Sequence, residues 1–296
     1  MGKINQPKVV VIVGPTASGK SDLGIKIAQK FNGEIISADS RQVYRGMDIG
    51  TGKVTKKEQK LAKHHLIDAV SPKKIFTADD FKKLGQKALI DIASQSRVPI
   101  IVGGTGFYID VLLDRIGVAE VPPNLELREH FERLSVNHLF KMIQNLDSER
   151  AKTIESKNKR RLIRALEIIA ALGKVPQHNI STSHVEILWL GLKPKDLEKR
   201  IKLRLEKRLK HGMLIEVKAL RKRGVAWKRL YDLGLEYRWL SLYIRGKINY
   251  KEMKSGLLRD VIKYSKRQMT WFKRNKEITW LGNQKQALKL VRDFLA

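Results

Sequence analysis

Hydrophobic positions in the first third of the chain switch between two periods. Lys8 to Val13 (KVVVIV) is a continuous apolar run, the pattern of a strand covered on both faces. From Ser21 to Phe31 the apolar residues take helical spacing, with Leu23, Ile27 and Phe31 on one stripe. Glu34 to Ser37 predicts a second short strand. Thr77 followed by Asp80 predicts a capped helix start, an acid three residues after a hydroxyl, and that helix runs to about Ser94. Arg97 to Gly104 (RVPIIVGG) predicts another buried strand, ending on two glycines. Strand, loop and helix in alternation predict an α/β fold, a parallel sheet with helices on both faces.

Past Asp114 the pattern changes. VPPNLELREHFERL sets two prolines ahead of a helix, and helical periods continue to Gly173, a C-terminal stop. Leu162, Leu166 and Ile169 share a stripe in this stretch. Glu186 to Leu192 (EILWLGL) predicts a return to the sheet. Basic helices follow, closed by a short strand near Ile278 to Leu281. The chain therefore divides into a core, residues 1–114 and 186–296, and a helical insertion domain, residues 115–185. In the core, the helix from Tyr250 to Asn275 has Met253, Leu257, Val261, Tyr264 and Trp271 on one stripe. That stripe reads as core rather than as a stacking platform for bases. Arg259, Lys263, Lys266, Arg267, Lys273 and Arg274 lie elsewhere on the helix.

The junction of the first strand and first helix is Gly14-Pro15-Thr16-Ala17-Ser18-Gly19-Lys20-Ser21. It satisfies G-x-x-x-x-G-K-[ST] in full, and in the strand–loop–helix context the motif requires. The sheet is thus P-loop NTPase-like. Amides of such a loop and of the helix N-terminus face an anion. Lys20 is placed to neutralise terminal phosphate oxygens, and the Ser21 hydroxyl to sit on Mg²⁺. The motif leaves the ligand open. A hydrolysing NTPase usually has a second strand ending in Asp, whereas RVPIIV ends Gly-Gly-Thr. The strand-terminal acid is Asp39, in EIISADS. It either holds the metal or takes a proton from a nucleophile, and the two readings stand level on spacing alone. The segment from Asp39 to Lys53 is too polar and Gly-rich for core structure. Its Ser40, Arg41, Gln42 and Tyr44 can hydrogen-bond to a base or stack on one.

Charge changes the picture. The 296 residues contain 60 Lys and Arg against 30 Asp and Glu, a net charge of +30. Such an excess points to a polyanionic partner, nucleic acid before an anionic membrane surface. The apolar fraction of 42% is sufficient for a core. No apolar run approaches the roughly 20 residues needed to span a bilayer. MGKINQPK lacks the apolar centre of a signal peptide, and Gln6 stands where a myristoylation motif has a hydroxyl. The absence of cysteine excludes a disulfide framework and thiolate metal sites. A soluble cytoplasmic protein is expected. His64 and His65 are adjacent and cannot both face one ion from a helix, so one of them reads as core or as support behind a site.

At DSRQVY the sequence becomes specific. GPTASGKS, ISADSRQVYRGMDIGTGK, HHLID (His64 to Asp68), GGTGFYI (Gly103 to Ile109), RRLIRALEI (Arg160 to Ile168) and RQMTWFKR (Arg267 to Arg274), in this order, resemble the tRNA dimethylallyltransferases over nearly the whole chain. The resemblance implies transfer of a dimethylallyl group from dimethylallyl pyrophosphate to the exocyclic amine of adenosine 37, in the anticodon stem-loop of tRNA. It implies that the loop Gly14 to Ser21 grips pyrophosphate, with Thr16 and Lys20 acting on it and Mg²⁺ as cofactor. It tips Asp39 toward the role of general base. It implies tRNA contacts from Asp39, Ser40, Arg41, Gln42, Thr105, Arg128, Arg160, Arg161, Leu162, Ile163 and Arg164, and a cytoplasmic monomer. Without cysteines the chain resembles the shorter bacterial form, which lacks a zinc finger. One departure stands out: Glu236 precedes Tyr237 where many relatives carry Gly-Tyr. Three alternatives remain. A small-molecule P-loop kinase gives no reason for the charge. An adenylate isopentenyltransferase gives none for the helical insertion. A non-catalytic RNA-binding P-loop protein leaves Asp39 idle.

Overall fold

The computed structural model describes residues 7–176 and 185–296. They form a six-stranded parallel sheet with helices on both faces, so the α/β class read from the pattern holds. The strands are β1 (Lys8–Val13), β2 (Gly33–Ala38), β3 (His64–His65), β4 (Val98–Gly103), β5 (Glu186–Gly191) and β6 (Thr279–Trp280), in spatial order β3-β2-β4-β1-β5-β6. Alternation in β1 explains why both faces are covered. Val9, Val11 and Val13 pack with Phe81, Ile92, Ile109 and Phe272 on one side. Val10 and Ile12 pack with Leu23, Ile27, Ala287 and Val291 on the other. Fully burying such a side chain contributes about 1.5–3 kcal/mol. A continuous apolar run is therefore stable only in the middle of a parallel sheet.

The helix Ala78–Ser94 starts as expected: the Thr77 side chain accepts from Asp80 N, and the Asp80 carboxylate accepts from Thr77 N. β3 was not read from the sequence, because two residues carry no period. It pairs with β2, and its His65 Nε2 lies 2.6 Å from the buried carboxylate of Glu34. Burial pushes the Glu34 carboxyl up, but hydrogen bonds from His65, Lys63 and Arg97 outweigh this and hold it below the usual range. His65 is thus a supporting residue of the sheet edge.

The chain divides into two compact units, Met1–Leu113 with Thr182–Ala296, and Asp114–Ser181. In the larger unit a third cluster joins the C-terminal helices to the segment after Asp39. Ile201, Leu205, Met213, Val217, Leu257 and Tyr237 pack on Val43, Tyr44 and Met47. The segment expected to be too polar for core structure therefore buries three hydrophobic side chains and Lys53. Tyr44 is not free to stack on a base, since its hydroxyl accepts from Phe76 N at 3.3 Å and from Arg229 at 2.9 Å. The smaller unit has its own core of Phe131, Leu139, Ile143, Leu162, Leu166 and Ile169. No helix among the described residues is long and apolar enough to cross a membrane.

Candidate active site

Three adjacent strands, β2, β4 and β1, deliver their carboxyl ends to one place, where ligands of open parallel sheets bind. From β1 the chain enters the loop Gly14 to Gly19 and then the helix Lys20–Lys30. Gly19 caps this helix at φ 92°, a left-handed conformation that disfavours any side chain. The first-turn amides, from Lys20 onward, then face the loop's concavity. Lys20 Nζ donates back to the Pro15 carbonyl at 2.7 Å. The buried Ser18 hydroxyl finds no hydrogen-bond partner among the described residues.

A second cation stands nearby. Desolvation draws the pKa of Lys20 down to about 7; the charge of Arg204 adds to this and that of Asp39 opposes it. Arg204 is itself pulled below its usual value by burial and by neighbouring Arg208. Its guanidinium donates to the Gly52 carbonyl at 2.9 Å. Lys20, Arg204 and Arg208 line a cavity of about 740 Å³, together with Ser21 and Lys207. Crowded, desolvated cations are stabilised by an anion, so the arrangement is chemically suited to a polyanionic group.

The sign of the Lys20 shift predicts how such a group binds. Below pH 7 the ammonium is already charged; above it, binding must recruit a proton. Inorganic pyrophosphate is therefore expected to bind progressively more weakly above pH 7, by up to about tenfold per pH unit beyond its own titration. Inhibition constants measured from pH 6 to 9 check this. The excess slope is expected to vanish in Lys20→Met, and equal slopes in the two proteins would remove Lys20 from the titration.

Asp39 follows β2 directly. Its Oδ1 accepts from Arg41 N at 2.8 Å and Gln42 N at 3.3 Å, while among the described residues Oδ2 has a single 3.5 Å contact, with Gln42 Nε2. One oxygen is thus anchored by backbone amides and the other is lightly held, as a proton acceptor requires. Thr105, after β4, braces this turn: its N donates to the Ala38 carbonyl at 3.2 Å, and its Oγ1 accepts from Ser40 N at 3.3 Å. Tyr264 completes the neighbourhood. Its phenol is pushed up to about 12 by desolvation, with the charge of Asp39 adding and a hydrogen bond with Thr105 opposing. The stripe on the Tyr250–Phe272 helix therefore splits. Met253, Leu257 and Val261 are core, whereas Tyr264 is half-buried beside Asp39.

The residues to which the resemblance assigned RNA contacts fall into distinct settings. Arg41 is turned inward, its Nε donating to the Leu233 carbonyl at 2.7 Å. Arg160 and Arg161 are exposed on the helix Lys159–Leu172. Leu162 and Ile163, at 0% and 4% exposure, lie in the core of the smaller unit. Their side chains pack inward, whereas those of Arg160 and Arg161 on the same helix are exposed. Arg128 binds the fully buried carboxylate of Glu167 through Nε and Nη2, both at 2.9 Å. Arg164 adds a 3.5 Å contact to Glu167 and donates to the Val121 carbonyl at 2.7 Å. Stripping a buried carboxylate of its partner costs about 3–5 kcal/mol, so these two arginines hold the unit together.

The departure at Glu236 has a structural account. Glu236 pairs with Arg208 at 3.0 Å, and Arg208 also donates to the Gly50 carbonyl at 2.6 Å. Tyr237 donates to Glu216 at 2.7 Å, and Glu216 accepts from the amides of Asp48, Ile49 and Gly50 at 2.6–2.9 Å. Both residues thus shape the cavity wall. Arg204, Glu216, Tyr264 and Gln268 were all missed as site residues. Their only sequence signal was membership of basic helices, and for Gln268 of the RQMTWFKR match. Among the described residues no three His, Asp or Glu side chains gather as a metal cluster.

A family model described as IPP transferase matches residues 42–275. The chain is 39% identical to tRNA dimethylallyltransferase 1 of Syntrophus aciditrophicus, over 95% of this chain and 96% of that one. It is also 39% identical to the tRNA dimethylallyltransferase of a Roseiflexus species, over 97% and 98%. Among solved structures, the tRNA isopentenylpyrophosphate transferase of Bacillus halodurans superposes with a TM-score of 0.72 at 32% identity, covering 98% of this chain and 96% of that one. A eukaryotic dimethylallyltransferase described as acting on tRNA superposes at 0.84 with 25% identity, covering 98% and 79%.

Proposed function

Because the chain belongs to the IPP transferase family, we propose that it transfers a dimethylallyl group from dimethylallyl pyrophosphate to N6 of adenosine 37 in tRNA. One observation carries this reading: a lightly held carboxylate oxygen of Asp39 sits within electrostatic reach of the desolvated cations Lys20 and Arg204. A base and an anion site side by side are what this displacement needs. The amine nitrogen attacks C1 of the donor, the C1–O bond breaks, and pyrophosphate departs with the bonding pair. The amine proton passes to Asp39 Oδ2. Lys20, Arg204 and the loop amides stabilise the charge developing on the leaving group.

Ser21 lines the same cavity as Lys20 and Arg204, and a single hydroxyl suffices for Mg²⁺, which takes most of its ligands from phosphate and water oxygens. The Ser21 hydroxyl would hold it, and it would supply further neutralisation of pyrophosphate. Arg160 and Arg161 supply RNA phosphate contacts, while Arg128 and Arg164 shape the unit that presents them. The target base leaves the anticodon-loop stack to reach Asp39. We take the enzyme to work as a cytoplasmic monomer.

The experiment mixes the protein with unmodified tRNA and Mg²⁺, with and without dimethylallyl pyrophosphate and with and without labelled ATP, followed by nucleoside mass analysis. One C5H8 unit on adenosine, formed without ATP, is expected. ADP release without isoprenoid, and no modified adenosine with it, would restore the kinase alternative.

A further inference from the structure

The sheet ladder ends where the site begins, at Val13 opposite Gly103 and Ala38 opposite Gly103. Beyond that level three turns diverge: the phosphate loop after β1, the Asp39 turn after β2, and the Gly104-Thr105 turn after β4. Their relative positions decide the distance between base and leaving group. The turns after β2 and β4 are joined by the Thr105–Ala38 and Ser40–Thr105 bonds. Among the described residues, hydrogen bonds join the phosphate loop to them through one side chain from a distant helix.

That side chain is Gln268, at 7% exposure on the helix Tyr250–Phe272. Its Oε1 accepts from the Thr16 amide at 2.9 Å, and its Nε2 donates to the Gly104 carbonyl at 2.9 Å. The fit is close: a Cβ on Gly104 would collide with Gln268 Nε2. One consequence is specific to this loop. Amides of a phosphate loop ordinarily serve the anion, but that of Thr16 is taken by Gln268. The helix has an anchor of its own three residues on. Trp271 Nε1 donates to Asp110 at 2.7 Å, and Phe272 is buried in the sheet's core. Loss of the carboxamide therefore does not release the helix.

We infer that Gln268 is a positioning residue that sets the phosphate loop at its working distance from Asp39. Hydrogen bonds run unbroken from Ser40 through Thr105, along the backbone to Gly104, and through Gln268 to Thr16. The donor is held on one side of this bridge and the base on the other. Attack at C1 requires the amine, the carbon and the departing oxygen to lie in line, and a displacement near 1 Å costs on the order of 10²-fold in rate. The inference rests on the transferase reading.

The test compares wild type with Gln268→Met, which keeps the volume and loses both bonds, and Gly104→Ala, which displaces the same carboxamide from the other side. Each is assayed with unmodified tRNA and dimethylallyl pyrophosphate for kcat, donor KM, tRNA Kd and Tm. Both variants are expected to lower kcat by roughly 10- to 100-fold, with tRNA Kd within about twofold and donor KM rising less than kcat falls. The double variant is expected to be no worse than the poorer single one, since both act through the one carboxamide of Gln268. Wild-type kcat in Gln268→Met overturns the inference, as does a rate loss that disappears once the folded fraction is corrected for. Additive losses overturn it too. Wild type that prenylates no tRNA overturns the transferase reading and this inference with it; active wild type with an unaffected Gln268→Met overturns the inference alone.

Discussion

Asp39→Asn is expected to lower kcat for prenyl transfer by about 10²- to 10⁴-fold, the range for losing a positioned general base, while donor and tRNA affinities stay within a few-fold. The geometry explains the separation. Asp39 Oδ1 holds the turn by accepting from the amides of Arg41 and Gln42. An asparagine carbonyl oxygen makes the same two bonds, so the turn survives. What is lost is the acceptor at Oδ2, whose 3.5 Å contact with Gln42 holds little structure. A proton acceptor matters in the transition state and hardly at all in the ground state, which places the loss in kcat. Single-turnover rates with saturating tRNA and donor, beside equilibrium binding of each, check this. Near-normal turnover in the variant would remove Asp39 from the role of base.

Lys20→Ala is expected to lower kcat by about 10²- to 10³-fold, the scale of losing one preorganised stabiliser of developing charge, and to weaken donor binding as well. Here the fold gives an internal control. A lysine drawn down to about 7 by desolvation is disfavoured by its surroundings in the charged form. Removing it is expected to leave Tm unchanged or raised. Loss of rate with retained Tm marks the ammonium as part of the chemistry rather than of the architecture. Unchanged donor affinity together with an unchanged rate would assign the leaving group to Arg204 and the loop amides alone.

Much of this protein was legible along the chain, and for a physical reason. Val9 to Val13 alternate between two cores, so an unbroken apolar run already specified a strand inside a parallel sheet. Thr77 and Asp80 cap their helix through bonds three residues apart. Gly14 and Gly19 supply two positive-φ positions of the loop Gly14 to Ser21, and Asp39 stands at a strand end. All of these are near-neighbour properties, which one-dimensional order contains. The resemblance then placed chemistry on them.

Other features lay outside that reach. The bond between Thr16 and Gln268 joins residues 252 positions apart. A helical stripe shows that one face is covered but not by what, so Tyr264 was read with the core although it lies beside Asp39. A polar segment announces solvent, yet Tyr44 and Met47 are buried because helices from the far end of the chain close over them. Arg128 and Arg164 look like any basic helix positions until Glu167 is seen buried between them. Local spacing determined the elements and the loop that holds the anion. Only tertiary packing decided which arginines face inward, how desolvated Lys20 becomes, and what ties the base to the leaving-group loop. Those properties belong to pairs of distant residues, whose meeting is set by how the helices pack rather than by where they lie in the sequence.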